Sequence, residues 1–440
     1  MNAYLERVVN DLKKKYPNQP EYLQAVEEVM GSISIIFDKH PEYEKMAIAE
    51  RLVNPDRIVH FKVPVRMDDG RVDVYDGWRI QQNNYVGPYK GGLRLNPSVN
   101  EGILKFLAFE QVFKNALTTC PMGGGKGGSN FDPKGKSEEE VKRFCYAFMK
   151  ELHKYIGEGV DVPAGDIGTG AREITHFFNA FREYDDRKDE LGFITGKPIP
   201  MGGSLVRTEA TGYGLVYLVE EILKRKPINN PKVVVSGSGN VAIYCAKKCQ
   251  QLGWKVVGMS DSKGYILDDN LDVEQVRVIK EEKRGSLADY KGGEYHTGSI
   301  YDVDLNVDIA LPCATQNEIN LERAKRLVKG GVKIVAEGAN MPDNNEAIAY
   351  YKETGVIFAP GKAANAGGVA TSYLEMEQNA KKEKWTFEEV DAKLQGIMQA
   401  IHKQCLDATH EYNLDEFDYV GGANIAGATK VINLMVKDNI

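Results

Sequence analysis

The sequence predicts two α/β domains, the second built on a parallel sheet. Three observations lead there. From residue 232 onward, short apolar runs alternate with helical stretches: "KVVVSG", "KVVGMSD", "VDIALP", "KIVAEG" and "VIFAPG". Strands separated by helices pair in parallel. The first part of the chain instead mixes helix-period segments with a hairpin pattern. Between the two lies "DDRKDELGFITGKPIPMGGS" (Asp185–Ser204), charged and then rich in Gly and Pro, which marks the boundary. The expected ranges are 1–200 and 203–415. A chain of 440 residues is long enough for two such cores.

Each element has its own signal. Residues 1–60 read as helices, with "YLQAVEEVMGSISIIF" carrying apolar positions at helical spacing. "RIVHFKVPVRMDDGRVDVYDGWRIQQNN" alternates apolar and polar around Asp69-Gly70, a hairpin signal. "SVNEGILKFLAFEQVFKNAL" is an amphipathic helix with Ser98 or Asn100 as its cap. "SEEEVKRFCYAFMKELHKYI" is another, with Ser137 and Glu140 at capping-box spacing.

Composition excludes several classes. A net charge of -7 argues against a general nucleic-acid binder. No apolar run approaches the ~20 residues of a membrane span. The N-terminus has no continuous apolar h-region, so no secretory signal is read. The six cysteines (120, 145, 245, 249, 313, 405) read as buried free thiols of a cytoplasmic protein. Cys245 and Cys249 lie one helical turn apart, but no second ligand pair follows, and no metal is expected.

The segment "KVVVSGSGNVAIYCAKKCQQLGWKVVGMSDS" is strand, glycine turn, helix, strand. Its turn, Gly237-Ser238-Gly239-Asn240-Val241-Ala242, is a G-x-G-x-x-A. Gly237 makes the tight turn, and Gly239 lets a pyrophosphate approach the start of a helix. Asp261 lies 22 residues past Gly239, where a ribose-reading acid belongs. The second domain is therefore expected to be a Rossmann-like dinucleotide-binding domain. The later strands end in "PCATQN", "EGANMP" and "APGKAANAGG". These are small or amide residues at the edge where such sheets bind ligands; ordinary turn chemistry also favours them.

"TTCPMGGGKGGSNFDPKG" (Thr118–Gly135) sets Lys126 among glycines. It is not a Walker loop, because Cys120 and Gly127 stand where Gly and Ser or Thr are needed. It reads as a loop whose glycines admit a substrate. Lys90 in "GPYKGGLR" and Lys114, one turn after Gln111, precede it. If the three lysines converge, each becomes easier to deprotonate, and one can act in proton transfer. "DVPAGDIGTGAREI" adds Asp166, either a helix cap or a proton carrier.

Taken together, "YKGGLR", "PMGGGKGGSNFDPKGKS", "VPAGDIGTGARE", "GGSLVRTEATGYG", "SGSGNVA", "PCATQN", "EGANMP" and "PGKAANAGGVATSYLEM" resemble the hexameric glutamate dehydrogenases of the Glu/Leu/Phe/Val dehydrogenase superfamily, in that family's order along nearly the whole chain. The resemblance implies that residues 1–200 bind substrate and form the assembly contacts, with a closing helix at about 420–440 packing back on them. It implies an active site in the cleft between the domains, and a homohexamer. Lys126 matches the catalytic lysine and Asp166 the proton-carrying acid. Gln111 and Lys114 match α-carboxylate contacts; Lys90, Gly91 and Ser372 match the side-chain carboxylate site; Gly165 matches a backbone substrate contact. Thr211, Asn240, Gln316, Asn340 and Asn365 match positions near the cofactor or substrate, beside the turn residues Gly237, Gly239 and Val241. Thr208 departs from a proline common in relatives.

The implied reaction is reversible oxidative deamination of L-glutamate to 2-oxoglutarate and ammonium, with hydride passing to a nicotinamide cofactor. Asp261 alone favours NAD, since an acid repels a 2′-phosphate. The Ser260-Asp261-Ser262 run resembles NADP-using relatives, and Lys263, Lys280, Lys283 and Arg284 offer cations. Ser286 stands where such relatives can carry arginine. NADP is expected, with NAD possible. The alternatives are another amino-acid dehydrogenase of the superfamily, such as a branched-chain one, and a non-catalytic dinucleotide-binding regulator. The regulator should have lost Lys126 or Asp166, and both are present.

Overall fold

The computed structural model describes residues 1–438, which divide into two compact units. The first comprises Met1–Leu205, Ser372–Val390 and the chain from Asn424 onward; the second comprises Val206–Thr371 and Asp391–Ala423. The first boundary falls one residue beyond the Gly/Pro-rich segment. The expected continuous range 203–415 is interrupted, because Ser372–Val390 belongs to the first unit. Sequence order does not reveal such a return, since a helix reads the same whichever core it packs on.

The first unit opens with helices Ala3–Lys15 (α1), Pro20–Ser32 (α2), Ser34–Lys39 (α3), Glu42–Lys45 (α4) and Ile48–Val53 (α5). Strands Arg57–Arg66 (β1) and Val72–Asn83 (β2) form the expected antiparallel hairpin around Asp69-Gly70. Strand Tyr89–Leu95 (β3) precedes helix Glu101–Leu117 (α6), capped by Asn100 through its side chain on the Ile103 amide at 3.0 Å. Ser98 instead turns onto Asn96.

The glycine–lysine stretch is a correction. Gly124–Ser129 is a buried strand (β4), not a loop. It lies inside the sheet order β1-β2-β4-β3-β5, antiparallel to β2 and parallel to β3, with strand Asp161–Gly165 (β5) beyond. The glycines are there because nothing larger fits. A Cβ on Gly124 would lie 2.4 Å from Val112 Cγ2 and 2.7 Å from Val112 Cα, against the α6 backbone. Helices Glu138–Leu152 (α7) and Ala171–Tyr184 (α8) complete this unit's core. Leu93, Leu95, Phe131, Phe144, Phe148 and Phe177 pack together in it. The capping box at Ser137 and Glu140 forms as read, at 3.1 Å in both directions.

The second unit begins with helix Ala210–Arg225 (α9), strand Lys232–Ser236 (β6), helix Asn240–Gln251 (α10) and strand Lys255–Ser260 (β7). Strands Gly264–Leu267 (β8) and Glu294–Thr297 (β9) follow, with helix Val273–Arg277 (α11) between them. Then come strand Ile309–Pro312 (β10), helix Leu321–Lys329 (α12), strand Ile334–Ala336 (β11), helix Asn345–Thr354 (α13) and strand Ile357–Ala359 (β12). The order is β12-β11-β10-β6-β7-β8-β9. The five strands read from sequence are parallel, whereas β8 and β9 add an antiparallel edge that was not read. Val234, Ala310, Val335 and Phe358 on the sheet pack with Leu327 and Tyr351 of the following helices. Helices Gly361–Ala364 (α14), Gly367–Lys381 (α15), Phe387–Glu411 (α16) and Tyr419–Val436 (α17) close the chain; the last three each run from one unit into the other.

Candidate active site

In the first unit, strand alternation puts Lys90, Gly92 and Arg94 of β3 on one sheet face. Lys126 of β4 shares that face. Arg94 Nε donates to Asp166 Oδ2 at 2.8 Å, and Lys126 Nζ lies 3.4 Å from the same oxygen. Asp166 sits just past β5 in a tight bridge with Thr169. It is not a helix cap: α8 is capped at Gly170, whose amide donates to Glu173 Oε2 at 2.9 Å.

Lys126 is 6% exposed. Burial lowers its pKa, Asp166 partly offsets this, and Arg94 and Arg79 lower it further. The depressing cations are thus chiefly two arginines, rather than Lys90 and Lys114 as expected. Burial raises Asp166, but Lys126 and Arg94 outweigh it and hold the carboxyl below its ordinary value. Asp166 also borders an open cleft of about 470 Å³ with Lys134, Thr169 and Arg172. A lysine whose burial makes it easier to deprotonate, beside a carboxylate that reaches solvent, can exchange protons with a bound molecule.

Below the pair, Arg79 and Asp161 form a fully buried ion pair, with Arg79 Nε to Asp161 Oδ2 at 2.9 Å. Gln81 Nε2 joins at 3.0 Å, and Arg79 also donates to the Gly91 carbonyl at 3.0 Å, which fixes β3. Lys90 is 1% exposed and donates to Thr195 Oγ1 at 2.9 Å. Gln111 lies beside Gly91, 3.5 Å from where a Cβ there would stand, and bonds Asn115 at 2.7 Å. Lys114 is half-buried one turn on, Gly165 ends β5, and Ser372 lies buried on the part of α15 within this unit. Sequence reading missed Arg79, Arg94 and Thr195. Arg94 had a signal, an even spacing from Lys90 on a strand; Thr195, far away in an irregular segment, had none.

In the second unit, Gly237 follows β6 at φ +90°, and its amide donates to Ser260 Oγ at 2.8 Å. Gly239 opens α10 without a side-chain cap, and a Cβ placed on it would meet nothing within 4 Å. Uncapped helix amides facing open space suit a pyrophosphate. Asn240 and Val241 begin that helix, the latter 3.2 Å from where a Cβ on Gly338 would stand. Gln316 and Asn340 are exposed in the loops after β10 and β11, and Asn365 Nδ2 donates to Asn340 Oδ1 at 2.8 Å. Thr211 begins α9, with its hydroxyl near Gly368. Under the Asn340 loop, Glu337 and Asp343 form a buried carboxyl pair. Burial raises both above the ordinary carboxyl range, with Glu337 pushed up to about 7.

Asp261 is already engaged. It accepts from the amides of Lys263 (2.9 Å), Gly264 (3.1 Å) and Leu287 (3.0 Å) and from Ser286 Oγ (3.4 Å), with Lys280 Nζ 3.8 Å away. Burial raises it, but these amides and Lys280 hold it below its ordinary value. It ties the loop before β9 to the turn after β7. Lys280 also donates to the Gly285 carbonyl at 3.0 Å; Ser262 and Lys283 are exposed. Among the described residues, no group of three or more His, Cys, Asp or Glu could hold a metal, and no helix is long and apolar enough to cross a membrane. All six cysteines are buried free thiols.

A parallel sheet with a glycine turn at a helix start, in a chain whose other unit sets a buried lysine against a carboxylate, fits the class of dinucleotide-dependent dehydrogenases. The family description Glutamate/Leucine/Phenylalanine/Valine dehydrogenase matches residues 202–438, and its dimerisation domain matches residues 55–183. The chain is 49% identical to an NADP-specific glutamate dehydrogenase of Psychrobacter sp. (strain TAD1), over 99% of both chains. It is 51% identical to an NAD(P)-specific glutamate dehydrogenase of Xylanibacter ruminicola, over 98% of this chain and 99% of that one. The solved glutamate dehydrogenase of Plasmodium falciparum superposes with a TM-score of 0.95 at 45% identity, covering 99% of this chain and 95% of that one. The chain belongs to the Glu/Leu/Phe/Val dehydrogenase family.

Proposed function

We propose that this protein catalyses the reversible oxidative deamination of L-glutamate to 2-oxoglutarate and ammonium with NADP, as a cytoplasmic homohexamer. Lys90 carries the choice of glutamate over apolar amino acids. Its buried ammonium shares the sheet face of Lys126, two strand positions (~7 Å) along. That spacing is comparable to a five-carbon dicarboxylate. A carboxylate beside Lys90 gains a charge-assisted bond that an apolar chain end does not. Ser372, Gly91 and Thr195 complete that end, while Gln111, Lys114 and Gly165 hold the α-carboxylate end.

When bound, the oxidised dinucleotide supplies the acceptor for the substrate's α-hydrogen and its electron pair. The resulting imine takes up one water and releases ammonium. Lys126, made easier to deprotonate by its burial, takes a proton at Nζ from that water as it attacks. Asp166 carries protons between the amino nitrogen and the cleft, and Arg94 holds its carboxylate in place. Gly237, Gly239, Asn240 and Val241 cradle the pyrophosphate, and Thr211, Gln316, Asn340 and Asn365 line the nicotinamide end.

NADP is favoured because Asp261 has few acceptor sites left for the ribose hydroxyls by which an acid selects NAD, and because Lys280, 3.8 Å away, offsets part of its charge. A carboxylate has about four acceptor sites, and four donors already occupy them. Ser262, Lys263, Lys280 and Lys283 then offer donors to a 2′-phosphate. The names of the relatives agree, one of them being NAD(P)-specific. The match to a dimerisation domain supports assembly through the first unit. A reductive amination assay decides the reaction: 2-oxoglutarate against 4-methyl-2-oxopentanoate, with ammonium and NADPH or NADH. Rapid turnover of 2-oxoglutarate with NADPH is expected, and preference for the branched acid would overturn the reading. Sedimentation at several concentrations checks the hexamer.

A further inference from the structure

The Gly/Pro-rich segment after α8 is more than a linker. Its residues 194–204 are held along one face of α15, within the first unit. Glu375, which is 0% exposed, accepts from the Gly196 amide at 2.9 Å, the Lys197 amide at 3.3 Å and Lys197 Nζ at 2.7 Å. Lys197 Nζ also donates to the Ile194 carbonyl. One turn on, Gln378 takes Ser204 Oγ as acceptor at 2.7 Å, and Asn379 donates to the Gly202 carbonyl at 2.9 Å.

Thr195 is enclosed by these contacts. Its amide donates to the Pro163 carbonyl of β5 at 3.0 Å, and its hydroxyl receives Lys90. Gly196, the next residue, stands at φ +84°, a backbone setting that side chains resist, and the Glu375 carboxylate seals it. Ser372 lies three residues before Glu375, on the same helix face.

From this geometry we infer that Glu375, through Lys197 and the backbone of residues 194–197, is a positioning residue that sets the side-chain end of the substrate site. It rests on the reading of Lys90 above. A buried ion pair is not an efficient way to stabilise a core, since apolar residues of similar volume often do as well or better. What the pair supplies is direction: one carboxylate fixes two consecutive amides, and therefore the aim of the Thr195 hydroxyl onto Lys90. The same carboxylate fixes the helix that carries Ser372. Both walls of the pocket are thus set from one point, by a residue with no need to touch the substrate.

The test compares glutamate with L-norvaline, which has the same carbon chain but no side-chain carboxylate. Glu375→Gln keeps the shape but replaces one acceptor oxygen by a donor facing N–H groups. Glu375→Leu with Lys197→Met removes both charges, leaves neither unpaired, and guards against simple misfolding. In both variants the preference in kcat/KM for glutamate over norvaline should fall tenfold or more, through KM for glutamate, with KM for NADP unchanged. Retained preference in either folded variant would overturn the inference, as would equal losses for both substrates and cofactor. If the unaltered protein itself shows no preference, the Lys90 reading falls and this inference falls with it.

Discussion

Gly124→Ala tests why the lysine-bearing strand is made of glycine. The added Cβ would stand 2.4 Å from Val112 Cγ2 and 2.7 Å from both Val112 Cα and N. The Cγ2 can rotate away, but the helix backbone cannot. Ordinary contact begins at 3.4 Å, so α6 must retreat by about 0.7 Å at Val112. Gln111 and Lys114 ride on that turn of α6 and move with it. Overpacking of this kind costs about 1–3 kcal/mol, and a ~1 Å misplacement at a reacting site costs ~10²-fold. The expected variant is folded and binds NADP normally. It melts a few degrees lower, and its kcat/KM for glutamate falls by ~10–100-fold. Melting by circular dichroism and steady-state rates at saturating NADP read the two effects. Wild-type kinetics together with a wild-type melting temperature would refute the close packing of β4 on α6.

Other perturbations follow from the same geometry. Lys126→Ala and Asp166→Asn should each lower kcat by ~10²–10⁴-fold while tritrated NADP binding by equilibrium dialysis is unchanged. The acid limb of kcat/KM in the unaltered protein should lie below the ordinary lysine range, because Lys126 is depressed. Gly239→Ala places its Cβ in open space, so the melting temperature should hold while KM for NADP rises at least tenfold, measured by initial rates. Glu337 and Asp343 both have raised pKa values, so their contribution to stability is full below the unfolded carboxyl range, and Glu337's share is lost as pH rises through about 7. Melting temperature measured from pH 5 to 8 should decline, and Glu337→Gln should flatten that decline.

Much of this was legible in the sequence. The hairpin shows because Asp69-Gly70 sits between alternating runs, and the five parallel strands show because each is apolar and followed by a helix. The glycine turn at 237–239 is local and reads directly. The β4 strand does not, since glycine has low strand propensity and offers no alternation to read. The β8 and β9 strands are four residues each, too short to rise above their turns. In the site, the residue types around Lys126 were readable and the spacing from Lys90 pointed to Arg94, but Arg79, the other cation that depresses it, gave no sign. Arg79 and Arg94 come to it through strand register, which composition does not encode. Asp261 stands where an acid was expected, yet its oxygens are spent on backbone amides, and only the folded loop shows that.

The return of Ser372–Val390 to the first unit has a consequence during synthesis. The ribosome delivers Thr195 and Lys90 long before Glu375. The 166 residues of Val206–Thr371 intervene, which takes roughly 8–33 s at ~5–20 residues per second. Over that interval the N-terminal part of the chain can build its sheet and bury Lys126, but the segment 194–204 has no helix to grip it. The substrate pocket is therefore among the last parts of this unit to take shape. A nascent chain arrested before residue 372 should carry a folded sheet with segment 194–204 open to protease, and release past that point should close it.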